Sequence, residues 1–248
     1  MHFGSLFNAP PTSAGRGVRS SRTARASGAT VIPPADLWTE LVTRMEFRPP
    51  VSLSGRFLRL VPLAPEHLQG LTLAARSPEI WRYILAGDLR EPARMNGFIE
   101  ELLRRQAAGT DLPFTILAEP ELNPVGMTRF LNIRREEQCV ELGGTWLARE
   151  LWGSALNPES KFLMLRHAFE VEGCHRVELK TDLRNEHSQR AIARLGAVRE
   201  GVLREHIARP GGYFRSSVYY GILSTEWPSV KLRLEERLHS AQAGRNSV

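Results

Sequence analysis

The chain has 248 residues, of which 42% are hydrophobic, and it carries a formal net charge of +6. This composition is ordinary for a globular protein with a buried core, and no apolar run reaches the length of a membrane span or a signal-peptide core. The two cysteines, Cys139 and Cys174, follow neither metal-ligand nor redox spacing, so we expect a reduced, cytoplasmic protein.

The first 44 residues differ from the rest of the chain in charge and composition. They contain five arginines against two acidic residues, which is half of the net positive charge, and residues 1–35 have no acidic residue at all. Such a stretch cannot bury enough apolar surface to fold alone. We therefore expect residues 1–44 to form a disordered basic tail and residues 45–248 to form one domain. An organellar leader and a nucleic-acid arm are alternatives for the tail; we favour translation from Met45.

The first half of the domain reads as strands and two helices. Proline at the first helical position predicts helices that begin at Pro65 and Pro92. Trp81 and Tyr83, between these helices, are candidates for a substrate-site wall, although core packing is the commoner role of such aromatics. Apolar runs and turn signals predict strands over Arg56–Leu63, Pro113–Ala118, Val125–Ile133 and Val140–Leu147.

A loop of small residues follows the fourth of these strands. It holds Gly153, Ser154 and Ala155, after which Asn157 stands where an N-cap belongs and Pro158 at the first helical position. Free N–H groups at a helix start, together with the helix dipole, favour an anion. The sequence therefore predicts a phosphate-sized site at this loop.

The second half predicts a parallel crossover and a hairpin. The helix after the loop leads to a strand over Arg176–Thr181, which must pair in parallel with the strand that ends at Leu147. A short helix follows, then two strands joined around Pro210-Gly211-Gly212 and a last helix from Pro228 to Leu238. We predict a mixed α/β fold with a sheet of six or seven strands and helices on both faces.

Several motifs occur in a fixed order along the chain. One is Glu150-x-x-Gly153-x-Ala155, another is Asn185-x-x-Ser188-x-Arg190, and Leu-Gly and Glu-Gly-x-x-Arg follow. Together they resemble the GCN5-related N-acetyltransferase (GNAT) superfamily, nearest to its ribosomal-protein N-terminal acetyltransferase branch. The acetyl-CoA signature of that family is Arg/Gln-x-x-Gly-x-Gly/Ala, so Glu150 departs from it.

The resemblance implies an enzyme with the GNAT fold. We expect transfer of an acetyl group from acetyl-CoA to a primary amine, on a protein N-terminus or a small molecule, by direct attack in a ternary complex. An acetyl-CoA-binding sensor or scaffold with the same fold is the alternative. Beyond acetyl-CoA and the acceptor we expect no metal, no membrane and no nucleic acid as partners, and a homodimer stays open.

The resemblance also implies where acetyl-CoA binds. Its pantetheine arm should lie in a gap between the two parallel strands, against backbone groups of Trp146, Leu147 and Ala148. Asn185 is a further candidate contact, or alternatively the cap of its own helix. Arg190 is a candidate contact to a cofactor phosphate, or alternatively a solvated side chain. The residues expected to bind the pyrophosphate are Trp152, Gly153, Ser154, Ala155, Leu156 and Asn157.

Two residues are candidates for proton transfer. Many GNAT enzymes carry a tyrosine acid at the position that is Ile192 here, so that group is absent. Ser188 lies one helical turn earlier on the same face and is the candidate acid, or alternatively a helix-capping hydroxyl. Glu141 is the candidate base or water-positioning group, with an exposed strand-end carboxylate as the alternative. His187 should point away from Ser188.

Overall fold

The computed structural model describes residues 45–210 and 212–245, with side chains to residue 241, and the predicted tail over residues 1–44 lies outside this part of the chain. Eight strands form one sheet in the order β1-β2-β3-β4-β5-β6-β8-β7. The strands are β1 (Leu53–Ser54), β2 (Leu58–Pro62), β3 (Leu112–Ala118), β4 (Asn123–Arg134), β5 (Cys139–Leu147), β6 (Arg176–Asp182), β7 (Val198–Arg209) and β8 (Tyr213–Leu223). The helices are α1 (Leu68–Ala74), α2 (Pro92–Ala107), α3 (Leu156–Arg166), α4 (Glu186–Ala193) and α5 (Trp227–Arg245).

The mixed α/β fold is confirmed. β5 and β6 pair in parallel, as predicted, and the other neighbouring strands pair antiparallel. The sheet has eight strands rather than six or seven. The additional strand is β1, whose two residues pair with Leu60 and Arg59 of β2. A strand of two residues is too short to produce the alternation by which strands are recognised in a sequence.

Helices cover both faces of the sheet, as predicted. Neighbouring residues of a strand point to opposite faces, and Trp146 and Leu147 accordingly belong to different clusters of buried side chains. Leu147 packs in the larger cluster, which includes residues of α3, α4 and α5, whereas Trp146 packs with residues of α1 and α2. We call these the α3 face and the α2 face of the sheet.

The first described residues are part of the core. Met45 and Phe47 are buried, and the backbone N–H groups of Glu46 and Phe47 donate to Oε2 of Glu172 at 2.8 and 3.0 Å. Burial opposes the charge on Glu172, but hydrogen bonds from His167 and from these two amides hold its pKa below the usual range. This carboxylate therefore ties the start of the described chain to the segment after α3.

Other features of the described chain bear on the predicted class. Cys139 and Cys174 are both buried and free, and burial raises the pKa of each thiol. Within the described residues, no helix combines the length and the hydrophobicity needed to span a bilayer.

The last helix continues to Arg245 rather than ending at Leu238. The prediction stopped early because the final turns lack an apolar stripe that would have indicated them.

Candidate active site

A gap separates the ends of the two parallel strands. β5 and β6 pair only at three positions, the last of which joins Glu141 to Glu178. Beyond that point β5 continues to pair with β4 as far as Leu147, and β6 with β8 as far as Asp182. No further pairing between β5 and β6 occurs in the described residues. The two strands therefore leave an opening between them at the end where the loop to α3 begins.

A β-bulge in β5 coincides with the start of the gap. The pairing of β4 with β5 shifts register between Met127 and Arg129, where the single residue Thr128 lies opposite both Gly144 and Thr145. Gly144 has a φ of +59°, which a glycine adopts without strain. A bulge bends its strand and increases the local twist, so the bulge at Gly144 is a local cause of the separation of β5 from β6.

The loop after β5 offers unpaired backbone N–H groups, as predicted. The amides of Gly153, Ala155 and Asn157 donate to no other described residue. Gly153 has a φ of +81°, and a side chain added there would meet no atom within 4 Å. Free amides beside open space at a helix start form a cradle for an anionic group, so the residues present fit a pyrophosphate.

The remaining residues of this loop are engaged within the loop. The amides of Trp152 and Ser154 donate to the carbonyls of Arg149 and Leu151. The amide of Leu156 donates to Oγ of Ser154 at 3.3 Å. These three residues therefore shape the loop, whereas the alternate residues present the free amides.

The predicted N-cap at Asn157 is wrong. Helix α3 begins at Leu156 and its N-cap residue is Ala155, whose methyl side chain cannot accept a hydrogen bond. The hydroxyl of Ser154 takes over part of this role by accepting from Leu156. A proline is tolerated anywhere in the first turn because those amides lack intrahelical partners, so Pro158 did not mark the first helical residue.

The three strand-end residues expected at the pantetheine arm differ in their availability. The side chain of Trp146 packs on Trp81 of the α2 face, with ring centroids 5.3 Å apart. The carbonyl of Leu147 accepts from Nε1 of Trp152 at 3.0 Å. Ala148 donates to Val125 and accepts from the amide of Leu151. The N–H of Ala148 is thus engaged, whereas its carbonyl keeps a second lone pair.

An aromatic contact that the sequence did not indicate joins the loop after β5 to α4, the helix after β6. The indole of Trp152 stacks on the imidazole of His187, with centroids 5.7 Å apart and planes at 22°. The guanidinium of Arg149 lies 4.6 Å from the centroid of the same indole. His187 does point away from Ser188, but it points toward the loop. Arg149 also places a cation beside the loop next to Glu150, the residue that departs from the family signature.

Helix α4 separates the two roles considered for Ser188. Oδ1 of Asn185 accepts a hydrogen bond from the amide of Ser188 at 3.0 Å, so Asn185 is the N-cap. The hydroxyl of Ser188 makes no hydrogen bond within the described chain, and the capping alternative for Ser188 is therefore wrong. Arg190 is exposed and pairs with Glu186 at 3.2 Å on the same helix.

Glu141 is buried rather than exposed at the strand end, with 4% of its surface accessible. Its Oε2 accepts hydrogen bonds from Nδ2 of Asn132 at 2.7 Å and from Nζ of Lys180 at 2.8 Å. Its Oε1 lies 3.3 Å from the position that a Cβ on Gly143 would occupy. The carboxylate therefore spans the base of the gap on the α2 face, with one oxygen directed to the bulge.

A lysine beneath the bulge was also missed. Lys161 of α3 is buried, and its Nζ contacts the hydroxyls of Thr128 and Thr145. No described carboxylate lies within ion-pair distance of this ammonium, and burial lowers the pKa of Lys161 to about 7. Lys161 precedes Leu165 and Ala168 by one and two helical turns, a spacing that would have predicted an inward-facing side chain.

No group of three or more histidine, cysteine, aspartate or glutamate side chains in the described chain is arranged to hold a metal ion. The arrangement combines a strand gap, an amide cradle at one end of it, an unbonded serine hydroxyl on α4 and a buried carboxylate at its base. Such a site can hold an elongated ligand with a phosphorylated end and can act on its other end.

This fold and site define the class of the protein. The sequence profile of the family described as "Acetyltransferase (GNAT) domain" matches residues 58–198, more than half of the chain. The chain belongs to the GNAT acetyltransferase family, and the predictions of this family and of an acetyltransferase are confirmed.

Particular relatives agree with that assignment. The chain is 41% identical to a T. thermophilus structure described as a "putative acetyltransferase", over 76% of this chain and 97% of that one, with a TM-score of 0.69. It is 28% identical over 106 residues to the Bacillus subtilis (strain 168) protein named "Putative ribosomal N-acetyltransferase YdaF", a match that covers 43% of this chain and only 57% of that protein. Mycobacterium smegmatis RimJ, solved in complex with CoA-disulfide, shares the fold at 20% identity, over 76% of this chain and 95% of RimJ, with a TM-score of 0.66.

Proposed function

We propose that this protein transfers an acetyl group from acetyl-CoA to a primary amine while both substrates are bound. The observation that carries the proposal is the strand gap that opens at the free amides of Gly153, Ala155 and Asn157. An elongated thioester with a pyrophosphate near one end fits an amide cradle that continues into the gap between β5 and β6. The CoA compound bound in the RimJ structure supports the same choice of ligand.

The chemistry needs few protein groups. The amine nitrogen attacks the thioester carbonyl carbon, the carbon–sulfur bond breaks, and the departing thiolate takes up a proton. Ser188 is the proposed acid for the thiolate, because its hydroxyl is not used for capping and α4 follows β6 at the gap. Glu141 is the proposed base or water-positioning group, through the oxygen that faces the bulge. Holding the two substrates together supplies much of the rate.

Asn185 and Arg190 are proposed as secondary contacts to the cofactor. Nδ2 of Asn185 is unbonded within the described chain although its Oδ1 is used for the cap. Arg190 would have to exchange its pair with Glu186 for a phosphate. The word "ribosomal" in the name of the Bacillus relative supports a protein acceptor, and small-molecule amines use the same chemistry.

Calorimetry with acetyl-CoA tests the binding half of the proposal. Gly153→Val puts a branched side chain at the cradle, and we expect it to weaken acetyl-CoA binding at least about tenfold, or about 1.4 kcal/mol. Gly87→Val is the matched control, because Gly87 has the same φ of +81° and equally open surroundings but lies outside the cradle. Equal affinities for the two variants would overturn the assignment of the cradle.

Release of CoA tests the transfer half. The full chain is incubated with acetyl-CoA and a panel of serine- and alanine-initiated peptides and small amines, and free thiol is measured. Turnover with any acceptor supports the enzyme. Acetyl-CoA binding without CoA release for any acceptor would favour the sensor or scaffold instead.

A further inference from the structure

One arginine on the α2 face is buried and has no carboxylate partner. Arg215 of β8 is 4% exposed. Its Nε donates to Oγ of Ser217 at 2.9 Å, and its Nη1 donates to the carbonyl of Tyr83 at 3.3 Å. Its Nη2 makes no hydrogen bond to another described residue. Buried charges are normally paired, so this guanidinium is unusual in having free donors and no carboxylate in direct contact.

The other buried charges on this face are already paired. Glu141 binds Lys180 at 2.8 Å. Asp182 accepts from the amide of Arg184 at 2.9 Å and lies 3.4 Å from its Nε. The third pair is Asp111 with Arg129, at 3.3 Å. None of these carboxylates lies within 4 Å of Arg215, although the charge of Asp182 acts on it from further away.

Arg215 lies on the side of the sheet from which an acceptor would approach. Residues 215, 217 and 219 of β8 alternate onto the face of Lys180, whose Nζ lies 5.8 Å from the centroid of the Tyr219 ring. That is the face of Glu141. Arg215 is one alternation beyond Ser217, which pairs with Asp182 at the open end of β6. The opposite face is covered by α3 and carries the amide cradle, where the proposed function places the thioester substrate.

The surroundings of Arg215 form a wall around the same opening. The guanidinium of Arg184 lies 3.5 Å from the centroid of the Tyr213 ring and 6.0 Å from that of Tyr83. Arg209 donates to the carbonyls of Ile84 and Leu85 at 2.8 and 2.7 Å, in the segment that also contacts Arg215. The wall thus combines aromatic rings with the guanidinium groups of Arg184 and Arg215, whereas Arg209 holds the backbone of the 84–85 segment.

We propose that Arg215 binds a carboxylate of the acceptor, and that the preferred acceptor is therefore a primary amine that also carries a carboxylate. The inference rests on the proposed function, since it assumes that an amine enters from the α2 face. An arginine presents donors in a planar fork that suits a carboxylate. The carboxylate belongs either to a free amino acid or to an acidic residue next to a peptide N-terminus.

The test measures kcat/KM by CoA release from the full chain with two matched pairs of acceptors. One pair is the C-terminally amidated dipeptides Ser-Glu and Ser-Gln, and the other is alanine and alaninamide, with rates expressed per unprotonated amine. Loss of a charge-assisted hydrogen bond costs about 10- to 100-fold. We expect the carboxylate member of at least one pair to be preferred by that factor, and the pair that shows it identifies the source.

Two variants assign the preference to Arg215. Arg215→Gln should reduce the ratio within the pair to near one, with the uncharged member less affected. Arg209→Gln is the matched control, because it also removes contacts to carbonyls of the 83–85 segment, but from the half-buried Arg209 on β7, the last strand of the sheet. The control should keep the ratio of the wild type.

The outcomes separate this inference from the function on which it rests. Equal kcat/KM values for both members of both pairs in the wild type would overturn the role of Arg215 and leave the transferase intact. Equal loss of the ratio in the two variants would reduce Arg215 to an anchor of the 83–85 segment. No CoA release with any acceptor would overturn the transferase and this inference together. If Arg215→Gln does not fold, the wild-type ratios still decide the preference.

Discussion

The two faces of the sheet approach the gap with different groups. On the α3 face the candidate ligand contacts are main-chain amides, at Gly153, Ala155 and Asn157. On the α2 face they are charged side chains, the pair of Glu141 with Lys180 and the unpaired Arg215. A main-chain cradle depends on backbone conformation and tolerates many side chains, whereas each charged contact depends on one residue. We infer that variation in sequence changes the acceptor far more readily than the cofactor.

Ser188 gives the strongest test of the cofactor side. It is a side chain that we expect to act in catalysis on a side where the other proposed contacts are mainly main-chain amides. Ser188→Ala should lower turnover by about 10²–10⁴ if the hydroxyl protonates the thiolate. Its melting temperature should not change, because Asn185 provides the cap. Turnover is measured by CoA release and stability by thermal unfolding on the same preparation.

Asn185→Ala supplies the control for this prediction. It removes the cap and should cost about 0.5–2 kcal/mol of stability, while the folded enzyme keeps most of its turnover at saturating acetyl-CoA. The acid role of Ser188 would have to be abandoned if the alanine variant kept more than about a tenth of wild-type turnover.

On the acceptor face, the next largest effect separates a base from a structural ion pair. Glu141→Gln should lower turnover about 100-fold if the carboxylate accepts a proton. Lys180→Met removes the partner but leaves the carboxylate, so its loss should be about tenfold smaller. Similar losses of turnover in both variants would show that only the pair matters.

Lys161 tests the same comparison on the α3 face. It is a buried charged side chain on the face where we expect main-chain amides, and no charged side chain, to bind the ligand. Below about pH 7 the folded and unfolded chains both hold its proton, so the folded state bears the full cost of burial. Lys161→Met should therefore raise the free energy of unfolding at pH 6 by about 1–3 kcal/mol. The pKa shift of Lys161 sets an upper limit of about 5 kcal/mol on this gain. Loss of the contacts to the threonine hydroxyls reduces the gain.

The pH dependence gives the sign of this effect. As pH rises from about 7 toward 10.5, the folded lysine loses its proton before the unfolded one, and the stability of the wild type increases. The gain from Lys161→Met should shrink over the same range, as measured by urea unfolding. Lys231→Met, at an exposed pair with Glu170, should change stability by less than about 1 kcal/mol. A gain that does not depend on pH would exclude charge burial as its cause.

The smallest expected effect concerns Arg190 and Glu186, which lie on the exposed surface of α4. If Arg190 meets a cofactor phosphate, Arg190→Gln should weaken acetyl-CoA binding about two- to fivefold, and Glu186→Gln should strengthen it by freeing the guanidinium. Calorimetry at low and high salt measures both. Changes of the same sign in the two variants would argue against any phosphate contact.

The sequence alone was informative where the structural requirement is local. The cradle needs a residue that tolerates a φ of +81° and small neighbours, and Gly153, Ser154 and Ala155 state that requirement within three positions. The start of α3 was misplaced because a proline is acceptable at several positions of a first turn. Which of the loop amides are free depended on the path of the whole loop, and the pattern of residues did not reveal it.

Most contacts on the α2 face could not be predicted from the sequence, because they join residues that are far apart in the chain. Glu141 and Lys180 are separated by 39 positions, and Arg215 lies 132 positions from the carbonyl of Tyr83. In the sequence Glu141, Lys180 and Arg215 are charged residues on strands, and such residues are more often exposed than buried. Only their joint burial distinguishes a site from a surface.

The sequence by itself determined the family, the order of the strands and helices, and the position of the small-residue loop before α3, because periodicity, glycines and motif spacing act over a few residues. The tertiary structure decided that β5 and β6 separate after Glu141, that Asn185 rather than Ser188 caps α4, and that Lys161 and Arg215 are buried without a carboxylate. These outcomes depend on how distant segments pack. Burial and the pairing of charges exist only once those segments have come together.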